Sequence, residues 1–454
     1  MIELAQPSPS PSLLLKPAPV DTFGDGPDVA GLPASFLVDL ALRHLSRKGE
    51  LKLYALAQAL GLGVTVLDGL LGQMRTLALV EVPRRGTLEG DISYTLTDLG
   101  HRRARIAFDR CQYLGPAPVP LGEYVAQVRE QNSQLQPVRE LRLRAVLASM
   151  VLPAALLPSL GSAMNSGKAI YLHGASGTGK TFLAEHLVRT LEGHVWVPHA
   201  IYVDGEVVQV FDPIVHRETP DDAAAGLGRG LQRDLSSDGR WVRCERPVVI
   251  VGGELILDTL DLAHDPHTRV HTAPPQLKAN NGIFVVDDLG RQRVSPTELM
   301  NRWIVPLDRH VDHLTLSTGT KFSVPFDVRV IFSSNLPPDS LVDPAFARRL
   351  GYKIEIEPLD ADGYREVVAQ ACARAGVPEH PAGVAHLIHT LHPRHAQPYL
   401  PCIPHDVVSK IADLARYRQR PPRLTPEALD WAWHNHFGLP VLDAPAADRP
   451  LSGE

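Results

Sequence analysis

The residues best suited to chemistry lie in a glycine-rich segment, AIYLHGASGTGKTFLAEHL. It carries the pattern GxxxxGK[ST] at residues 174–181. Glycines let backbone N–H groups close around phosphate oxygens, and the N-terminus of a following helix adds positive potential. The apolar run before the loop is typical of a buried strand, and leucines recur at helical spacing after it until Gly193. This order of strand, loop and helix predicts a nucleotide phosphate site, and a chance glycine turn is the alternative.

The loop suggests roles for two side chains. Lys180 is expected to contact the β and γ phosphates of ATP, and Thr181 is expected to bind Mg²⁺. The predicted nucleotide-binding residues are Gly174, Ala175, Ser176, Gly177, Thr178, Gly179, Lys180 and Thr181.

A second segment, GIFVVDDLG, places two aspartates directly after an apolar run. Such a run ending in a carboxylate is common in buried strands, and the loop at 174–181 gives this one a partner. Asp287 is therefore predicted to be a second Mg²⁺ residue. Asp288 is predicted to orient and deprotonate the attacking water, because a carboxylate can act as a general base.

Further segments resemble those of AAA+ ATPases. VRVIFSSN is predicted to be a strand that ends at Asn335, which matches the polar sensor residue of that family. VDPAFARRLGYKIEI follows with Asp343 as a helix cap, and its Arg348 and Arg349 resemble the arginine finger that completes a neighbouring subunit's site. Most hydrolysing members carry glutamate where this chain has Asp288, and aspartate offers the same chemistry on a shorter side chain.

Two predicted elements refine the resemblance. SPTELMNRWIVPLDR is expected to be a helix with a capping box formed by Ser295 and Glu298, and LTLSTGTKFSVPF a β-hairpin with its turn at Gly319. A hairpin in this position resembles the pre-sensor insertion of an AAA+ branch that includes chaperone-like ATPases. Four amphipathic segments after residue 358 resemble the AAA+ lid, in which His405 stands in place of a common arginine. A histidine is neutral for much of the time at pH 7, so its contact with the γ phosphate is expected to be weaker.

The N-terminal part resembles a winged helix-turn-helix domain. Two short helical patterns flank the turn GLGV, and a two-stranded pattern, LVEVPRRGTLEGDISYTLT, follows them. The second helix carries a single cation, Arg75, which does not favour base readout. Basic residues of the wing and beyond could contact phosphates; they are Arg84, Arg85, Arg102, Arg103 and Arg105. Protein docking and DNA binding both remain open for this domain.

Two polar segments of the core receive structural interpretations. The histidines of AHDPHTRVH, at positions 264, 267 and 271, are interpreted as a solvated or stacked face rather than as metal ligands. IYVDGEVVQVF is predicted to be a hairpin with its turn at Asp204 and Gly205. In a ring ATPase, such a hairpin could face a partner or the central pore. The Gly- and Asp-rich stretch 219–240 is predicted to be a loop.

Composition limits the class of protein. The 454 residues are 44% hydrophobic and 21% charged, which is ordinary for a globular protein of several domains, and the net charge of −6 does not indicate a polyanionic partner for the whole molecule. The four cysteines form no CxxC pair. The most apolar stretch, 146–160, is shorter than the ~20 residues that span a bilayer, and the N-terminus lacks signal-peptide features. A cytoplasmic protein without a membrane partner is expected.

The predicted fold is α/β: a three-layer AAA+ core with a parallel sheet and a helical lid, preceded by a small α+β winged-helix domain. The predicted parts are a disordered Pro/Ser-rich leader (1–33), the winged-helix domain (34–112), a connector with lead-in helices (113–168), the nucleotide-binding core (169–357), the lid (358–437) and a flexible tail (438–454). The resemblance implies a Mg²⁺-dependent ATPase that forms a homo-oligomeric ring, expected to be hexameric, and remodels a protein client. The alternative is an ATP-gated regulator that binds DNA through the winged helix.

Overall fold

The computed structural model describes residues 29–85, 92–132, 137–219, 238–340 and 344–439. Several sequence predictions fall outside these residues: most of the leader, the tip of the wing, most of the loop at 219–240, the helix cap Asp343 and nearly all of the tail. Backbone contacts divide the chain into two units, 1–117 and 118–454. The first unit thus ends a few residues beyond the predicted boundary at 112, because the segment after it packs back: Ala117 N donates to Leu60 O at 2.8 Å.

The first unit combines four helices with a small antiparallel sheet. Its elements are α1 (Ala34–Lys48), β1 (Leu51–Lys52), α2 (Leu53–Leu60), α3 (Val64–Thr76), β2 (Val80–Arg85), β3 (Ile92–Leu96) and α4 (Asp98–Arg110). The strands lie in the order β1-β3-β2. Gly61 ends α2 in the left-handed conformation, so the two short helices and their glycine turn are confirmed. Among the described residues, no single helix could cross a membrane; α2 and α3 meet that criterion by length and composition only as a pair bent by 110°.

A buried ion pair joins α1 to α4 in this unit. Arg103 Nε donates to Asp39 Oδ1 at 3.0 Å, and both side chains are largely shielded from solvent. Of the basic residues that could contact DNA phosphates, Arg103 is therefore excluded, because its guanidinium is buried and paired with Asp39 inside the domain. Arg84, Arg102 and Arg105 are exposed.

The second unit holds the remaining elements. Up to the end of its central sheet these are β4 (Val119–Pro120), α5 (Leu121–Glu130), α6 (Glu140–Val146), α7 (Leu156–Asn165), β5 (Ala169–His173), α8 (Lys180–Leu187), β6 (Val195–Pro198), β7 (Ala200–Val203), β8 (Glu206–Gln209), β9 (Trp241–Cys244), β10 (Val248–Val251), β11 (Ala263–Asp265), β12 (Val270–Thr272), α9 (Pro275–Lys278), β13 (Ile283–Val286), α10 (Pro296–Arg309), β14 (Val311–Thr315), β15 (Lys321–Pro325), β16 (Arg329–Ser334), α11 (Pro344–Ala347) and β17 (Leu350–Glu355). The C-terminal helices are α12 (Ala361–Ala375), α13 (Pro381–His386), α14 (His392–Arg394), α15 (Cys402–Tyr417) and α16 (Pro426–Phe437).

The central sheet has the strand order β10-β13-β16-β5-β17, and every neighbouring pair is parallel. Its strands are short apolar runs because both faces are covered. Tyr171, Phe284 and Trp303 belong to the core on one face, whereas Leu172 and Ile331 pack with helical leucines on the other. The α/β architecture with a parallel sheet is thereby confirmed. Since the strands run the same way, the loops that follow β5, β13 and β16 meet at one edge.

A second sheet lies within the region predicted as core and connector. Its order is β11-β12-β8-β7-β4, and it shares a hydrophobic cluster with α5, the pair β6–β9 and the hairpin β14–β15. Both predicted hairpins are confirmed, with turns at Asp204 and Gly205 and at Gly319. The histidines are interpreted from the sequence as solvated or stacked, and the solvated option is wrong for His271, which is fully buried and packs against the His264 ring in a tilted arrangement.

The residues after 358 form the predicted all-helical region. The four amphipathic segments correspond to α12, α13, α15 and α16, and a π-helical turn, Leu387–Leu391, links α13 to α14. Tyr364, His392 and Trp433 lie in their buried core. His392 and the Tyr364 hydroxyl are 2.7 Å apart and hydrogen-bonded.

Candidate functional site

The loop between β5 and α8 is folded by its glycines. Gly174, Gly177 and Gly179 have φ angles of 141°, 85° and 89°, which side chains rarely adopt. A Cβ on Gly174 would lie 2.2 Å from the carbonyl oxygen of Ile356. The loop delivers the chain directly into α8, so the N–H groups of the first helical turn face the site. The helix is shorter than predicted, since a 3₁₀ turn, Val188–Thr190, replaces its last turn before Gly193.

Lys180 lies at the centre of the site. Its side chain is 6% exposed, and Nζ donates to the carbonyl oxygens of Gly174 at 3.0 Å and Ala175 at 2.9 Å, and to Asn335 Oδ1 at 3.0 Å. Burial lowers the pKa of Lys180, and the carboxylates of Asp288 and Asp287 oppose that shift. The ammonium group is thus held between the phosphate loop and the end of β16.

Thr181 and Asp287 form the second part of the site. Thr181 Oγ1 lies 2.9 Å from both carboxylate oxygens of Asp287 and donates to them. A hydroxyl and a carboxylate are hard oxygen donors of the kind that Mg²⁺ prefers. The two predicted metal residues therefore lie together at the edge of the sheet, and their chemistry fits that ion.

Asp288 and Asn335 connect the metal side to the lysine side. Asn335 Nδ2 donates to Asp288 Oδ1 at 3.2 Å, while its Oδ1 accepts from Lys180. The Asp288 side chain is 43% exposed, and Arg291 Nη1 lies 3.7 Å from its Oδ2. A continuous series of contacts consequently runs from Lys180 through Asn335 to a carboxylate that solvent can reach.

The backbone of Asp288 is unusual. Its φ of 49° lies in the left-handed region, which few residues other than glycine adopt. Outliers of this kind cluster at functional sites, where the surrounding structure enforces them. Leu289 N donates to Ser333 O at 2.7 Å, and Ser334 Oγ donates to Leu289 O at 3.0 Å, which fixes the residue after Asp288 to β16.

The two arginines after α11 have different surroundings. Arg349 Nε donates to Asp308 Oδ2 on α10 at 2.9 Å, and the Arg349 side chain is 29% exposed. Arg348 is exposed. Arg348 is therefore the more accessible of the two to a neighbouring molecule.

The C-terminal helices approach the phosphate loop at Gly177. Cys402 N donates to Gly177 O at 3.4 Å, and a Cβ on Gly177 would lie 2.4 Å from Cys402 Sγ. His405 lies one turn further along α15 and is half-buried; burial and the nearby Arg374 lower its pKa, and Asp406 opposes them. A lowered pKa favours the neutral imidazole at pH 7.

The structure brings Lys180, Thr181, Asp287, Asp288 and Asn335 together at one edge of the sheet. It also shows a residue that the sequence reasoning missed: Gln292, whose side chain bonds to the backbone of the two aspartates. The only signal for it in the sequence was a polar side chain closely following the two aspartates of DDLGRQ.

Comparisons with known proteins give one family match and several distant structural similarities. A family model described as a domain of unknown function, DUF8689, matches residues 360–435. No match was found among curated proteins. Similar solved structures include NtrX from Brucella abortus, at 13% identity and a TM-score of 0.38 over 73% of this chain and 59% of that one. They also include the RuvB Holliday junction branch migration motor of Thermotoga maritima, at 11% identity and a TM-score of 0.34 over 70% of this chain and 72% of that one. With values this low, function must be argued from the site itself.

Proposed function

We propose that this chain is a Mg²⁺-dependent ATPase of the AAA+ type. One observation carries the proposal: residues from three separate segments, the phosphate loop, the end of β13 and the end of β16, are hydrogen-bonded to one another at one edge of a parallel sheet. That edge is where open α/β sheets bind ligands.

Different residues are assigned to the phosphates, to the metal ion and to the lid. Backbone N–H groups of the loop and the first turn of α8 receive the phosphates, and Lys180 exchanges its carbonyl and Asn335 partners for phosphate oxygens. Thr181 and Asp287 would hold Mg²⁺, which would neutralise charge that develops on the phosphates. Cys402 and the N-terminal turn of α15 rest on Gly177, so the C-terminal helices serve as a lid over the loop, and His405 is its candidate phosphate contact.

Hydrolysis needs a water molecule that is oriented and deprotonated. Asp288 is the base in this proposal, because its carboxylate is accessible to solvent and Asn335 Nδ2 orients one of its oxygens. Asn335 bonds to Lys180 and Asp288 at the same time, so it connects phosphate binding to the position of the base.

The complete site needs a second subunit. Arg348 is exposed at the end of α11, which suits a cation that acts on a neighbour's phosphate, and Arg349 is held on its own chain by Asp308. A homo-oligomeric ring, expected to be hexameric, follows if one of these arginines acts between subunits.

A protein client is the proposed object of the ATPase cycle. The turns of the two hairpins lie side by side, since Thr320 Oγ1 donates to Asp204 Oδ2 at 2.9 Å, and both turns are exposed. They form one paired tip, made of the turn of the second sheet and the turn of the hairpin β14–β15, and this tip is the proposed surface that contacts the client. We place this chain in the chaperone-like branch with the pre-sensor hairpin, and we interpret its first unit as a winged-helix docking domain.

Phosphate release from ATP tests the proposed activity. The purified protein is expected to release phosphate in the presence of Mg²⁺, to stop when EDTA is added and to recover when Mg²⁺ is restored in excess. Release that persists after chelation, or no release over a range of protein concentrations, would contradict the proposal.

A further inference from the structure

The side chain of Gln292 makes three hydrogen bonds to the backbone of the loop after β13. Its Nε2 donates to the carbonyl oxygens of Asp287 at 2.7 Å and Asp288 at 3.2 Å, and its Oε1 accepts from Gly290 N at 2.8 Å. One amide thus satisfies three backbone groups of the segment that carries both carboxylates.

We propose that Gln292 is a positioning residue for Asp288, an inference that rests on the proposed ATPase function. Asp288 has φ 49° and Gly290 has φ 102°, so the turn contains two residues in the left-handed region of the backbone. Glycine adopts such angles readily, whereas a residue with a side chain, here Asp288, keeps this conformation only when the surrounding bonds enforce it. Arg291 N donates to the carbonyl oxygen of Asp288 at 2.9 Å. Gln292 adds one bond before Asp288, to the carbonyl oxygen of Asp287, and one bond after it, from the N–H of Gly290.

The position of the carboxylate depends on this backbone conformation. The direction of the Cα–Cβ bond follows from φ and ψ, and aspartate has a single methylene between Cα and the carboxyl group. A relaxed turn would therefore move Asp288 Oδ1 away from Asn335 Nδ2, which lies 3.2 Å from it. Gln292 is half-buried and touches the backbone, so it acts through Asp288 and not on the substrate.

The variant Gln292→Glu changes this arrangement with little change in volume. It keeps an oxygen to accept from Gly290 N, but it replaces the donor with an acceptor that faces two carbonyl oxygens. The control is Gln419→Glu, which makes the same change in charge at an exposed position after α15. Gln292→Ala serves as a second variant in which the repulsion is absent.

The expected result separates chemistry from binding. In Gln292→Glu, kcat for ATP falls at least tenfold and the affinity for ATP changes less than threefold, because the loop at 174–181 is untouched. Gln292→Ala shows a smaller loss in kcat, and Gln419→Glu matches the wild type. Hydrogen exchange of residues 287–291 becomes faster in both Gln292 variants and not in the control. A merely structural role would lower affinity and kcat together.

Failure of this inference can be distinguished from failure of the proposed function. If the wild type hydrolyses ATP and Gln292→Glu has the same kcat, the positioning role is overturned and the ATPase stands. If the wild type binds ATP without hydrolysis, the ATPase proposal fails, and hydrogen exchange tests whether Gln292 holds the loop. Unchanged exchange at 287–291 in the Gln292 variants overturns that role as well, and faster exchange there supports it. If affinity and kcat fall together, the inference is also overturned.

Discussion

The carboxyl edge of the central sheet and the exposed face of α3 differ in how their polar residues are brought together. At the sheet edge, Lys180, Asn335 and Asp288 come from distant segments and hydrogen-bond to one another. On α3, exposed residues such as Thr65 and Gln73 come from one helix and face solvent. Convergence of distant polar groups costs backbone strain and burial, which a passive surface does not require. The sheet edge is thus the region to test for chemistry, and α3 the region to test for docking.

The largest effect is expected from the loss of the central cation. Lys180→Ala should weaken ATP binding by about 10³-fold, since each charge-assisted bond to phosphate contributes about 1.5–3 kcal/mol. Titration with a fluorescent ATP analogue measures this change. Lys321→Ala, at an exposed position on β15, is the matched control and should bind like the wild type. Equal ATP binding by the two variants would show that ATP does not bind at this edge of the sheet.

The next effect distinguishes the two arginines after α11. Arg348→Ala should lower turnover by about 10²-fold, as expected for the loss of one preorganised cation at the phosphate. Arg349→Ala should have a smaller effect, because Arg349 is paired with Asp308 in its own chain. Mixing Arg348→Ala with Asp288→Asn subunits should restore part of the turnover, since one wild-type site can form at a mixed interface. The reverse ranking of the two arginines would make Arg349 the residue that acts in trans.

A smaller effect is expected at the first unit. Replacing Arg102 and Arg105 together by Ala should change affinity for duplex DNA at low salt by less than about tenfold, because α3 offers only Arg75 as a cation among its helical residues. Filter binding over a range of salt concentrations measures this. Tight, salt-dependent DNA binding that these changes abolish would instead support the DNA-binding regulator and would contradict a docking role for the first unit.

The smallest effect concerns stability and pH. Burial, with help from His264, lowers the pKa of His271 to about 4. His271 Nε2 accepts from Ser317 N at 3.1 Å, and Glu206 Oε2 lies 3.9 Å from Nδ1. Between about pH 6.5 and pH 4 the unfolded chain binds a proton at this residue that the folded chain does not, so the free energy of unfolding falls as pH decreases through that window, by about 1–3 kcal/mol.

His271→Gln provides the comparison for that measurement, because glutamine offers an acceptor without a charge change. Denaturant unfolding of both proteins between pH 7 and pH 4 should show a shallower pH dependence for the variant. Parallel curves would contradict the assignment of this part of the pH dependence to His271.

The sequence predicted the parts of the fold whose signals are local. Short apolar runs predicted β5, β13 and β16, and the capping box of Ser295 and Glu298 predicted the start of α10, which the structure confirms. Residue types and spacing also predicted the side chains at the sheet edge. Local signals were enough for these side chains because each strand is an apolar run and its polar residue follows directly after the run.

The features that were missed depend on contacts between distant segments. Arg103 is paired with Asp39 at a separation of 64 residues, and Arg349 with Asp308 at 41. The second sheet brings β4 beside β7, and His271 is buried because that sheet and the hairpin β14–β15 share one core. The three hydrogen bonds of Gln292 are local. They were missed because, in the sequence, a polar loop residue that bonds to the backbone looks the same as one that faces solvent.

Asp288 is proposed to act in hydrolysis at this edge of the sheet and not in ATP binding. The most direct test is steady-state ATP turnover by Asp288→Asn beside the wild type, with affinity for the ATP analogue measured on the same samples. Asp362→Asn, at an exposed ion pair on α12, is the control. Turnover should fall by about 10²-fold or more while affinity is retained, because the amide cannot accept the proton of water. Equal turnover in Asp288→Asn and the wild type would contradict the account.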